Sequence, residues 1–168
     1  KSGVLGEIIS VRADHGQWFP ANPEFRLYKP ELGGGALFDL GIYPVSFSSM
    51  VLGTPSRITA RSTKAFTGVD GQTSILMEFA SGAQALLNTT NLAATPNRAL
   101  IVGTEARIEI DRTFYNPASM RVIMHEGTTT EYPTDYKGHG LREQPVPDRP
   151  GQMEKRCSLT SRDNSASR

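Results

Sequence analysis

Asp39 and Tyr43 stand four residues apart in the run Gly33-Gly34-Gly35-Ala36-Leu37-Phe38-Asp39-Leu40-Gly41-Ile42-Tyr43. On a helix, residues at i and i+4 share a face, so a carboxylate and a phenol are expected side by side. A carboxylate accepts from hydroxyls, and a phenolic O–H both donates and accepts. Together they could hold a substrate hydroxyl and pass its proton. The glycines before the pair, Gly34 and Gly35, would let a backbone or a planar ligand such as a cofactor ring approach closely. The same spacing also fits a capping run, with Asp39 complementing the helix dipole and Tyr43 packing at a core edge. Spacing alone leaves both readings open.

Other chemistry is sparse. His15, His125 and His139 stand far apart without a partner at ligand spacing, so no metal site is expected. Cys157 is the single cysteine, which excludes an internal disulfide and a multi-cysteine zinc site, and its surroundings give no argument for reactivity. No G-x-G-x-x-G, Walker loop or G-x-S-x-G elbow is present. With 18 Lys+Arg against 17 Asp+Glu, the net charge of +1 gives no basic or acidic bias toward nucleic acid or a membrane surface. Apolar runs such as Ala99-Leu100-Ile101-Val102 fall far short of the roughly 18 residues of a membrane span. The opening Lys1-Ser2-Gly3-Val4-Leu5-Gly6 shows neither an initiator Met nor a signal-peptide core, so a cytoplasmic location and a piece of a longer chain are expected.

The elements that must carry the pair follow from periodicity. Ile9, Val11 and Ala13 alternate with polar neighbours as in a half-buried strand ending at His15. A Pro-punctuated stretch follows, and then Leu37, Leu40, Pro44, Phe47 and Val51 recur at steps of three and four. That pattern predicts a helix over 36–52, capped by Gly53 and interrupted at Pro44 by a kink or a break. Residues 56–132 read as successive strands, with hairpins through Ser81-Gly82 and Glu126-Gly127 and a continuously apolar, central strand at 98–103. The expected fold is α+β: an open, mostly antiparallel sheet with the helix packed on one face. The other face, carrying Leu76, Leu86, Leu92 and Ile123 among polar residues, is left available for dimerisation. Residues 1–144 form the expected domain, and 145–168, with Pro145, Pro147 and Pro150, a poorly ordered tail.

Taken in order, Gly3-Val4-Leu5-Gly6-Glu7-Ile8, GGGALFDLGIYPV (33–45), TGVDGQTS (67–74), FASGAQALL (79–87) and TPNRALIVGTEARIEID (95–111) resemble the C-terminal domain of the glucose–fructose oxidoreductase, inositol dehydrogenase and rhizopine-catabolism (Gfo/Idh/MocA) family. Tyr43, where other branches carry His, resembles the dihydrodiol and xylose dehydrogenase branch. The resemblance implies the substrate-binding and dimerising half of an NAD- or NADP-dependent oxidoreductase of sugars, polyols or trans-diols, with Tyr43 and Asp39 as catalytic residues. It implies that a Rossmann half, not contained in this sequence, binds the dinucleotide and carries a catalytic lysine, so this chain alone is expected to be inactive. His15, Lys64, Phe114 and Tyr115 resemble the rim of the family's substrate pocket. The alternative is a non-catalytic dimerising module or the remnant of a truncated gene.

Overall fold

The computed structural model describes residues 3–116 and 119–133; His139, Cys157 and the expected boundary and tail around residue 145 lie outside the described residues. Eight strands form a single sheet: β1 (Ile8–Gly16), β2 (Arg57–Lys64), β3 (Asp70–Glu78), β4 (Gln84–Thr90), β5 (Ala99–Gly103), β6 (Ala106–Ile110), β7 (Ser119–Met124) and β8 (Thr129–Pro133). Their order across the sheet is β2-β3-β4-β1-β5-β6-β7-β8. The apolar run at 99–103 is therefore internal, as its composition predicts. Neighbours pair antiparallel except β1 with β4, which run parallel with His15 opposite Thr89. This is the expected α+β architecture.

One local expectation fails for a clear reason. Pairing between β1 and β5 shifts register between Ile8 and Ser10, and a bulge changes which residues face the core. Ile8 consequently packs against the core cluster, while Ile9 is exposed and Val11 and Ala13 are buried.

The predicted helix over 36–52 forms in two pieces, α1 (Ile42–Leu52) and, directly before it, a π turn over Leu37–Gly41. Pro44 has no N–H to give to the carbonyl of Leu40, so a regular α turn cannot close there. The widened turn lies just upstream of the expected interruption. All five predicted face residues point at the sheet: Leu40 and Pro44 are buried, and Leu37, Phe47 and Val51 pack half-buried on a cluster that includes Val11, Ile75, Leu87 and Ile101. Each fully buried side chain of this kind contributes about 1.5–3 kcal/mol. Pro30–Leu52, with mean hydropathy 1.3, is long and apolar enough to cross a membrane by length and composition. One third of its apolar window is buried, and within the segment α1 and the π turn before it pack on the sheet.

Candidate active site

The start of the helix is fixed from a distance. No local side chain caps it. Instead the carboxylate of Asp70, at the start of β3, accepts from the backbone N–H of Leu37 at 2.7 Å and from the Thr73 hydroxyl at 3.2 Å. Gly35, at φ +129°, makes this approach possible, because a Cβ there would collide with the Asp70 carboxylate. A second clamp holds the glycines themselves. The N–H groups of Gly33, Gly34 and Gly35 donate to the carbonyls of Pro30, Lys29 and Leu27 at 3.0, 3.0 and 2.8 Å. A Cβ on Gly34 would sit 2.7–2.9 Å from three carbonyl oxygens of the Arg26–Lys29 segment. The close approach expected of Gly34 and Gly35 is thus made by the chain's own backbone and by Asp70. Their N–H groups are thereby spent within the chain.

Asp39 lies in the π turn and forms an ion pair with Arg26, whose 3-10 turn (Arg26–Tyr28) is the one that Gly35 bonds at the Leu27 carbonyl. Asp39 is 28% exposed and Arg26 57%, so the pair is worth at most about 1 kcal/mol to stability, and its consequence is the direction in which the carboxylate points. Tyr43, in the first turn of α1, keeps 43% of its surface exposed. Its ring meets His15 edge-on at 4.9 Å between centroids and Tyr115 at 4.8 Å. Asp39 and Tyr43 therefore share the N-terminal end of the helix, each engaged by a different neighbour.

The weaker candidates separate. Tyr115 joins the cluster, 4.6 Å from His15 and partly exposed. Phe114 is 4% exposed and packs edge-on against Phe47 at 5.5 Å, as part of the core cluster. Lys64 ends β2, at the same end of the sheet as His15 but three strands away, about 14 Å at the usual strand spacing. His15 is 2% exposed and lies beneath the two tyrosines rather than on a rim. Its Nδ1 is 3.1 Å from the carbonyl of Leu40 and its Nε2 3.3 Å from the amide nitrogen of Gln17. Burial pulls the imidazole pKa below its ordinary value, against the pull of the Leu40 carbonyl, Asp14 and Asp39.

Arg26 and Asp70 were not legible as site residues. The missing local cap before Ala36 is a signal that something else must satisfy the helix start. Nothing in the sequence identifies Asp70 as that partner.

The GFO/IDH/MocA C-terminal domain model matches residues 1–109. The chain belongs to the GFO/IDH/MocA family. Among its relatives, the trans-1,2-dihydrobenzene-1,2-diol dehydrogenase of Xenopus laevis is 39% identical over 121 residues, covering 71% of this chain and 36% of the relative. The D-xylose 1-dehydrogenase (NADP(+)) 2 of Haloferax volcanii is 31% identical over 111 residues, 66% of this chain and 34% of the relative. The crystal structure of aldose-aldose oxidoreductase from Caulobacter crescentus, complexed with glycerol, superposes with a TM-score of 0.73 at 25% identity, covering 96% of this chain and 48% of that one. The chain thus spans between a third and a half of these GFO/IDH/MocA proteins.

Proposed function

We propose that this chain is the substrate-facing half of a cytoplasmic NAD(P)-linked oxidoreductase acting at a CH–OH or C=O carbon of a sugar, polyol or trans-diol. The observation that carries the reading is the exposed phenol of Tyr43, braced from below by His15 and beside by Tyr115, one turn from a carboxylate aimed by Arg26. Relatives that act on a dihydrobenzene diol and on D-xylose support the substrate class. The chain spans about a third of its dehydrogenase relatives, which supports assigning the NAD(P) to polypeptide beyond it. When bound, a nicotinamide takes or gives the hydride. The chain's own residues orient the substrate and handle its proton: the Tyr43 hydroxyl bonds the reacting oxygen and exchanges the proton there, while Asp39 accepts from a second hydroxyl.

The open face of the sheet is the proposed seat of a second copy. A trough of about 700 Å³ runs across it, with Leu76, Leu86 and Leu100 among the residues lining it and Arg12, Arg61 and Arg98 among its charges. In protein that joins this chain to a dinucleotide-binding half, Tyr43→Phe and Asp39→Asn are expected to lower kcat by roughly 10²–10⁴, measured with NAD(P)+ and D-xylose or a trans-dihydrobenzene diol. The 168-residue chain alone is expected to show no turnover. Unchanged rates in both variants would overturn the reading.

A further inference from the structure

We infer that His15 is a positioning residue for Tyr43, supplying the side-chain hydrogen bond that anchors the Leu40 carbonyl where Pro44 offers no N–H and bracing the tyrosine ring in the same contact. The inference rests on the reading of Tyr43 given above.

His15 occupies a strand position on the helix-covered face, where its alternating neighbours Val11 and Ala13 are apolar. A polar ring at 2% exposure is costly unless its nitrogens are partnered. Both are. The Leu40 carbonyl can only accept, so Nδ1 carries the hydrogen and donates to it. Nε2 then presents its lone pair, and the Gln17 amide nitrogen donates to it at 3.3 Å. This fixes a single neutral tautomer.

The Leu40 carbonyl is the one whose α-helical donor would be residue 44, and Pro44 has none; in its place the carbonyl takes the Ile42 N–H at the end of the π turn and the His15 Nδ1–H. His15 therefore bonds at the spot where the helix carrying Asp39 and Tyr43 departs from regularity. A phenylalanine would fill the same volume and keep a ring edge against Tyr43, yet leave that carbonyl without its side-chain donor.

The direction of control follows from what holds His15. Asp14, before it, accepts from the backbone N–H groups of Asn97 at 2.8 Å and Arg98 at 3.3 Å. Gly16, after it, donates to the Asn97 side-chain oxygen at 2.8 Å. The histidine is thus a fixed arm, and the helix start is seated against it. The groups facing the imidazole are Asp14 on its own strand, Asp39 in the π turn, Tyr43 on α1 and Tyr115 after β6. Both carboxylates are engaged elsewhere, Asp14 by backbone N–H groups and Asp39 by Arg26, which leaves burial to keep the ring neutral.

The test uses the isotope-labelled 168-residue chain near neutral pH. Ring-nitrogen shifts of His15 should report a protonated Nδ1 and an unprotonated Nε2; the opposite tautomer overturns the proposal without any variant. His15→Phe should speed amide exchange at Gly41, Ile42 and Tyr43 by about tenfold and shift the Tyr43 ring signals, with Leu87 and Ile101 amides unchanged. His15→Asn, whose amide can donate from near the position of Nδ1, should restore the protection but not the Tyr43 ring signals. If His15→Phe moves neither readout, or loosens the strand amides equally, the residue is core filler and the proposal fails. Failure here leaves the catalytic reading of Tyr43 to its own kinetic test, and failure of that kinetic test leaves this contact intact.

Discussion

The two faces of the sheet are built from alternate residues of the same strands, yet they obey different rules. On β1, Val11, Ala13 and His15 go under the helix and are buried, while Arg12 and Asp14 line the open trough. The covered face is close-packed, and His15, buried in it, has a partner for each nitrogen. The open face combines aliphatic side chains with a ladder of ions, in which Arg121 bonds Glu109 and Asp111 at 3.2 and 3.3 Å and Arg98 lies 3.9 Å from Asp111. That face leaves aliphatic surface and charge exposed. The candidate chemistry sits at the edge of the covered one, where rigidity can aim it.

Adjacent leucines on β4 provide the largest test of that contrast. Leu87 is 3% exposed under the helix, and Leu86 is 46% exposed on the trough. Leu87→Ala should cost about 2–5 kcal/mol by lost burial and the cavity left behind. Leu86→Ala should cost less than about 1 kcal/mol in the isolated chain, because little packing is lost there. Urea unfolding of the two variants under one condition compares them directly. Equal losses would mean that the open face is packed in solution as tightly as the covered one.

The division between faces was largely legible beforehand, because period-two and period-3.6 patterns encode which side is buried. Leu37, Leu40, Pro44, Phe47 and Val51 were readable as one face, and Leu76 and Leu86 as members of the other. What escaped were contacts between residues distant in sequence. Arg26 reaches Asp39 because the Gly33–Gly35 segment folds back on the Arg26–Lys29 turn, and Asp70 reaches Leu37 because the helix start lies over the sheet beside β3; no local spacing encodes either. Ile9 and Ile8 exchanged roles through a one-residue bulge, a local event that an alternating pattern cannot reveal. His15 was visible as a strand end, but its burial beneath two tyrosines required the third dimension.

A smaller effect separates the covered face's packing from its long-range cap. Gly35→Ala places a side chain at φ +129° against the Asp70 carboxylate and should cost about 1–3 kcal/mol. Asp70→Ala removes the cap at Leu37 and should cost about 0.5–2 kcal/mol. The two should not add, since without the Asp70 carboxylate the new methyl group has less to collide with. A double-mutant cycle from thermal or urea unfolding measures the coupling. Strict additivity would show that Gly35 is required for its backbone angle alone.

The smallest expected effect is the pH dependence contributed by His15, and it sharpens the contrast because no comparable buried imidazole lies on the open face among the described residues. Burial holds its folded-state pKa below the ordinary 6.5, so the unfolded chain binds the proton more readily. Stability should therefore fall as pH drops through 6.5, with this residue's share growing until the folded-state pKa is passed and then levelling. The slope from one group cannot exceed about 1.4 kcal/mol per pH unit. His15→Asn, which has nothing to titrate, should lose less stability than the parent between pH 7.5 and pH 5.5 in parallel urea titrations. If the two curves fall together, the imidazole is already solvated in the folded chain, and the covered face is wetter around His15 than its packing implies.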